Sequence, residues 1–386
     1  MLIKHKTIAI VGGGPGGLTL ARLLQLKGAS VKVYERDFNK DVRVQGATLD
    51  LHEESGLEAL RRAGLIDAFY ANYRPEAGKL RLLDKHLNIK LDTHAEEEDN
   101  EDRPEIDRGP LRTILLESLE PNTVVWDSQF VSMTEYNGGW KLLFKNGTTA
   151  EADIVIASDG ANSRVRPYIT SIQPVYSGIT VVEGTIYDGE KHAPKLHALV
   201  KGGKIFAFGD DQSLILSTKG DGTLSFYTGC KVDESWVTES GIDFKDQQQV
   251  AAWFKKDFGS WDPAWQELVE SEALSVVPRP QYHFPLNQEW TALPNLTMIG
   301  DAAHRMPPYA GEGVNMTMQD SFELAECLTS ETYFDIQSAI AAFEKQMCAR
   351  ASAVTKITLD STEMMHSGDP IAQLIHAFSD FDAGRD

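Results

Sequence analysis

Long apolar runs, paired cysteines and an excess of basic charge are all missing from this 386-residue sequence. No stretch approaches the ~18–20 apolar residues of a membrane-spanning helix, so no membrane association is expected. An apolar strand pattern begins already at Thr7, which leaves no room for a signal peptide before it. Cys230, Cys327 and Cys348 form no CxxC pair and no even framework, which argues against a disulfide scaffold and a zinc site and for a reducing, cytoplasmic setting. The 37 Lys and Arg face 57 Asp and Glu, a net charge of −20 that repels phosphate backbones, so nucleic acid is a poor partner. Part of that charge sits in the run Glu96 to Asp102, which reads as a solvated loop. No Ser-His-Asp set or metal-ligand spacing is visible, so hydrolase and metalloenzyme chemistry have no basis and no metal is expected. The sequence also lacks internal repeats and a coiled-coil pattern, which makes a monomer the expectation.

What is present is a soluble globular composition, 42% hydrophobic and 24% charged, in a chain long enough for two interleaved domains. The run Thr7-Ile8-Ala9-Ile10-Val11 reads as a buried parallel strand. It leads into Gly12-Gly13-Gly14-Pro15-Gly16-Gly17 and then a helix carrying Leu20, Leu23 and Leu24, closed by Gly28. A second strand, Ser30 to Tyr34, ends at Glu35, 23 positions after Gly12. Gly12, Gly14 and Gly17 fit the G-x-G-x-x-G pattern of a dinucleotide fold. There the glycines let the backbone approach a pyrophosphate seated on the helix N-terminus, and the acid takes ribose hydroxyls. Arg36 follows the acid, and Arg43 lies on the loop beyond.

Two later strands end in similar fashion. Ile154 to Ala157 precede Ser158-Asp159-Gly160-Ala161-Asn162-Ser163-Arg164-Val165-Arg166, whose arginines suit helix initiation and cofactor phosphate equally. Leu296 to Ile299 deliver Gly300 for close approach and Asp301 as a hydroxyl acceptor. Then come Pro307, Pro308, Tyr309, Gly311, Gly313, Val314 and Asn315, and a helix through Met318, Phe322, Leu324 and Leu328. The first N–H groups of that helix favour negative charge, and the double proline stiffens the loop before it. His304 reads as a packing or hydrogen-bonding residue rather than a catalytic one. Pro110 is placed to open a helix whose apolar face is Leu111, Ile114, Leu115 and Leu119, with Arg112 off that stripe.

The ordered set GGGPGGL, ER, GATLDLH, DRGPLRTILL, ASDGANSRVR and GDAAHRMPPYAGEGVN resembles the class A flavoprotein monooxygenases. Within them it is most similar to the tetracycline-inactivating enzymes of the TetX type, whose activity is a form of antibiotic resistance. The resemblance implies an α/β fold: a Rossmann-like FAD-binding domain, an inserted antiparallel-sheet substrate domain and a C-terminal bridging helix. Residues 1–75, 105–174 and 286–336 would form the FAD domain. Residues 76–104 and 175–285 would form the substrate domain, and 337–386 the bridging segment. Strand-like pieces at Thr180 to Ile186, Lys204 to Phe208, Leu214 to Thr218 and Thr223 to Gly229 suit the inserted sheet.

The resemblance further implies FAD as cofactor, NADPH or NADH as reductant and molecular oxygen with a small molecule as substrates. Oxygen would add at flavin C4a, and the hydroperoxide would pass its distal oxygen to a polycyclic or phenolic carbon. The flavin would carry that chemistry, so no catalytic acid or base is assigned. The family's cofactor contacts map onto Gly12, Gly14, Gly17, Glu35, Arg36, Asp50, Arg112, Asp159, Gly300, Asp301, Pro308, Gly311, Gly313, Val314 and Asn315. The substrate-contacting positions are Glu183, Lys204, Ser225, Tyr227 and Tyr309, where the tetracycline enzymes carry glutamine, arginine, histidine, glycine and phenylalanine. Lysine lacks the two-pronged bonding of arginine, and tyrosine for glycine fills space, so the altered pocket opposes tetracycline as substrate. The alternatives are another aromatic metabolite, a flavin-dependent reductase, or an FAD-binding sensor without catalysis.

Overall fold

The computed structural model describes residues 2–41, 48–95 and 103–383, so Arg43, Gly46, Ala47 and the acidic run 96–102 lie outside the described residues. Five parallel strands form the first sheet, in the order Leu296–Met298, Ile154–Ala157, Thr7–Val11, Ser30–Tyr34 and Val124–Val125. Their continuous apolar runs are those of strands covered on both faces, and Ile8, Ile10, Val33, Ile156 and Met298 are all buried. The helix Pro15–Leu26 packs on this sheet and against a second helix, Gly313–Thr329. Contact between them is close because Gly16 has no side chain: a Cβ there would lie 2.2 Å from Thr317 Oγ1, and Ser321 Oγ donates to the Gly16 carbonyl at 2.9 Å.

A seven-stranded sheet forms the second layer, in the order Leu274–His283, Val175–Ile186, Leu224–Lys231, Gln212–Thr218, Lys204–Gly209, Leu80–Asp84 and Ile89–Asp92. Every pairing is antiparallel except that of Lys204–Gly209 with Leu80–Asp84. The strand Leu274–His283 escapes a reading by residue type because it holds Pro278 and Pro280. Both are tolerated because the strand is an edge, where a missing N–H leaves no gap in the ladder. The sheet's outer side carries Val182, Leu214, Leu216 and Phe226, packed under the helices Pro194–Val200 and Gln247–Asp257 with Trp253, Phe254 and Trp265. Its inner side faces the parallel-sheet unit.

The mixed α/β architecture, with parallel and antiparallel sheets and a helical C-terminal region, agrees with the expected fold. The long helix Ile336–Met365 touches both cores. Ile340, Phe343 and Met347 join the parallel-sheet core, while Met365 joins the core on the inner side of the large sheet. Asp335 opens this helix with a capping box, accepting from Ser338 N at 2.8 Å. A further helix, Pro370–Ala383, was not foreseen; its Ile371, Leu374 and Ile375 pack on the inner side. The helix expected at Pro110 runs Arg108–Glu117, two residues earlier, because proline is tolerated throughout a first turn. Among the described residues no helix is long and apolar enough to cross a membrane, and none of the His, Cys, Asp and Glu clusters has metal-site geometry.

Candidate cofactor and substrate site

The strand-to-helix turn at Gly12 to Gly17 is built by what its residues lack. Gly12 has φ +108°, and a Cβ on it would lie 2.1 Å from the Ser158 carbonyl oxygen. On Gly17 a Cβ would meet the Gly12 oxygen at 2.2 Å. The three strand ends at Gly12, Ser158 and Gly300 therefore converge, with glycine at the crossing points. Gly14 differs: a Cβ there meets nothing within 4 Å, and no side chain caps the helix it precedes. A helix start without a side-chain cap leaves its first N–H groups for another acceptor, the arrangement an anionic diphosphate uses. Glu35 is buried beside the turn and accepts from Gly13 N at 2.6 Å and Asp37 N at 3.0 Å. Arg36 is exposed.

Among the described residues, two buried polar atoms around this groove have no hydrogen-bond partner, Nε of Arg112 and Oδ1 of Asp159. The rest of Arg112 is engaged, donating to the Lys40 carbonyl and to Asp37 Oδ2, each at 3.0 Å, with its guanidinium over Trp126. Asp159 Oδ2 accepts from Arg164 N at 2.8 Å, and burial raises its carboxyl. Two orphaned atoms at residues assigned to the cofactor, beside an uncapped helix start, fit a bound FAD. Gly300 adopts φ +60° and lies against Thr317; its N–H donates to Asp320 Oδ2 at 2.8 Å. Asp301 is exposed to solvent at the start of the short helix Asp301–His304, and the protein packed around it raises its carboxyl despite nearby His304, Arg305 and Arg108.

His304 turns out to be structural. Its Nε2 lies 2.6 Å from Asp320 Oδ2, and Arg350 from the long helix donates to Asp320 Oδ1 at 2.6 Å. Burial would lower the imidazole, but the adjoining Asp320 carboxylate outweighs it and holds His304 above its ordinary value. Burial would likewise raise Asp320, and the His304 and Arg350 charges hold it below. Arg166 opens the short helix Arg166–Tyr168. It is buried, donates to the Ala302 and Ala303 carbonyls at 2.9 Å each and lies over the Phe284 ring. Asp320 gave no sequence signal, since its partners lie 16 to 30 positions away.

The loop Pro307–Gly311 and the strand Thr48–Asp50 meet through Asn315. Its Oδ1 accepts from His52 N at 2.9 Å and its Nδ2 donates to the Asp50 carbonyl at 2.9 Å. Asn315 is fully buried, and these bonds use both ends of its amide, so it positions the loop. Pro308 is exposed at the loop, and Gly313 and Val314 open the following helix. A Cβ on Gly311 would lie 3.2 Å from Asp50 Oδ1. Asp50 also meets His52 Nε2 at 3.1 Å, and the other ring nitrogen of His52 lies 3.6 Å from Glu312. Burial would raise the Asp50 carboxyl, but the bond to His52 and the Lys204 charge hold it low.

Across from this loop, Glu183, Lys204, Ser225 and Tyr227 share one face of the large sheet. Glu183 pairs with Tyr227, Tyr227 with Ile215, Ser225 with Ser217, and Ser217 with Lys204; cross-strand partners point to the same side. Lys204 is ion-paired with Glu105, a residue 2% exposed whose second oxygen has no partner among the described residues. Burial pulls the Lys204 ammonium down, opposed by Asp50. Glu183 is ion-paired with Arg279. Half-buried Phe206, Ile215 and Tyr227 give the same face an apolar centre. Ser225 is buried, and Tyr309 is also buried, with its hydroxyl near Ser213 and His366 rather than in the open. Glu105 stood next to the Asp107-Arg108-Gly109-Pro110 segment in the sequence, but its pairing with a lysine 99 positions away is a product of the fold.

Comparison with known proteins agrees with this geometry. Residues 5–356 match the family model described as FAD binding domain. The chain is 27% identical to monooxygenase penA of Penicillium thymicola, over 95% of this chain and 97% of that protein. It is 28% identical to 6-hydroxynicotinate 3-monooxygenase of Pseudomonas fluorescens, over 94% and 93% of the two chains. The structure of tetracycline destructase Tet(55) superposes with a TM-score of 0.75 at 18% identity, covering 94% of this chain and 90% of the other, a likeness of fold.

Proposed function

The chain belongs to the FAD-binding domain family, among the class A flavoprotein monooxygenases, and on that premise we propose that it uses NADPH or NADH and molecular oxygen to hydroxylate a phenolic or polycyclic small molecule. The observation that carries the reading is the convergence at Asp50. A Cβ on Gly311 of the cofactor loop would lie 3.2 Å from this carboxylate, and Asp50 in turn lies within electrostatic reach of Lys204 on the sheet face. Cofactor groove and sheet face therefore share one space.

In this reading the helix start after Gly14 holds the diphosphate, Glu35 holds ribose, and Asp301 holds the chain of hydroxyls leading to the ring. Bound and reduced FAD supplies the activation of oxygen, chemistry no side chain here provides. The protein's part is to bind, orient and exclude water. Phe206, Ile215 and Tyr227 offer a surface for a flat ring, and Lys204 offers N–H donors at its edge. Asp50, kept ionised, accepts a hydrogen bond from a ring hydroxyl. In this reading residues 1–75, 105–174 and 286–336 serve the cofactor, and 76–104 and 175–285 serve the substrate.

Tetracycline inactivation is the narrower reading. It rests on likeness of fold to Tet(55), whereas Lys204 bound to Glu105 and Tyr227 filling the face point to a smaller ring. The test is simultaneous oxygen uptake and NAD(P)H oxidation by the flavin-loaded protein across a panel of phenols, hydroxypyridines and tetracyclines. Stimulation of both, with a product heavier by one oxygen, supports the proposal. Flavin-loaded protein that no aromatic stimulates contradicts it.

A further inference from the structure

Tyr309 sits in the short turn Pro308–Ala310, next to Gly311 and so to Asp50, yet its side chain points into protein. The hydroxyl lies 3.5 Å from Ser213 Oγ on the large sheet and 3.4 Å from Nε2 of His366, which closes the long helix. Ser213 Oγ lies 3.0 Å from the same nitrogen, and the Tyr309 ring stands edge-on to the imidazole. Gly229 makes room for all three. A Cβ there would lie 2.2 Å from the Tyr309 hydroxyl, 2.4 Å from His366 Nε2 and 2.4 Å from Ser213 Oγ.

The protons can be assigned. Nδ1 of His366 is 2.7 Å from the Thr362 carbonyl, which only accepts, so Nδ1 carries the hydrogen. Burial holds His366 below its ordinary value against the Thr362 and Gly229 backbone, with Lys231 and Asp211 acting on it from the adjoining strand end and turn, which favours the neutral imidazole. Nε2 therefore accepts from the Ser213 hydroxyl, and Tyr309 donates to Ser213 Oγ. Burial, with a small contribution from Cys230, raises the Tyr309 phenol, so its proton stays in place.

We propose that Tyr309, Ser213 and His366 form a latch fixing the loop beside the cofactor site to the substrate sheet and to the end of the long helix, with Tyr309 a positioning residue rather than a substrate contact. Cofactor loop, sheet and helix end lie far apart in sequence, and here side-chain hydrogen bonds join all three. Loop and substrate face then move together, which keeps the flavin edge in register with the ring it meets. The latch rests on the flavin reading above.

Hydrogen exchange on the FAD-loaded protein tests it, together with the rate at which NADPH bleaches the flavin absorbance. Tyr309→Phe is expected to keep its flavin while exchange across residues 307–312 quickens roughly fivefold or more, the equivalent of about 1 kcal/mol. Bleaching slows by a similar factor. Gly229→Ala reproduces both effects with the three latch residues intact, and Ser213→Ala serves the same purpose should that variant fail to fold. Unchanged exchange in flavin-loaded Tyr309→Phe overturns the latch. Faster exchange with unaltered bleaching reduces the trio to packing and overturns the positioning role. A wild-type chain that binds no flavin overturns the functional reading itself, a result distinct from both.

Discussion

A methyl group added at Gly12 would sit 2.1 Å from a backbone oxygen, whereas across the cleft Tyr227, Ile215 and Glu183 hold their places through neighbours on paired strands. The cofactor groove is thus shaped by backbone that must approach backbone at Gly12 and Gly17, two positions that tolerate no side chain. The sheet face is shaped by side chains that meet one another: Lys204 with Glu105, Glu183 with Arg279. Two kinds of tolerance follow. The groove should fail abruptly when altered, while the face should change what it binds before it loses its fold.

Gly12→Ala carries the largest expected effect. A backbone contact that cannot yield, combined with φ +108°, should cost about 4 kcal/mol and abolish flavin retention. Thermal unfolding and flavin content check this, and a yellow, normally stable variant breaks the comparison. Next comes Asp320→Asn, which leaves His304 without its buried counter-charge and Arg350 with Glu323 alone; roughly 3 kcal/mol is expected from urea unfolding. That variant also has a pH signature. His304 is raised in the folded state, so its contribution is complete below the unfolded value of about 6.5 and is lost as pH rises through the folded value. The stability gap between wild type and Asp320→Asn should therefore narrow as pH climbs above about 6.5, and a gap that widens contradicts the ion pair.

On the sheet face, Lys204→Met strands the Glu105 carboxylate, but the lysine is partly exposed, so about 2 kcal/mol is expected, with flavin content intact and the response to aromatic ligands altered. Loss of flavin in that variant would erase the distinction between the two regions. Glu183→Gln should be smallest, below about 1 kcal/mol, because Arg279 is exposed; a larger loss in a melting experiment would mean the face is as intolerant as the groove.

The same contrast explains what the sequence discloses. A backbone-shaped site leaves glycines at fixed spacing after apolar runs, so the turns at Gly12, Asp159 and Gly300 were legible, as were the helices they feed. The face disclosed its strands, and the resemblance pointed to Glu183, Lys204, Ser225 and Tyr227, which the register brings together. Their partners were not legible. Glu105, Asp320, Ser213 and His366 are ordinary residues whose roles depend on a contact made across the fold, and the hydroxyl of Tyr309, a residue read toward substrate, lies beside Ser213 and His366. The strand with Pro278 and Pro280 was hidden because an edge strand need not obey the composition of a central one.

The most direct test of the account is turnover under isotopically labelled oxygen, with NADPH as reductant and the most stimulating aromatic of the panel as substrate. The account predicts one labelled atom in the organic product, with NADPH consumed in step. Reduction of the substrate without any label, or all consumed oxygen recovered as hydrogen peroxide with every aromatic tried, would contradict the assignment of this chain as a monooxygenase.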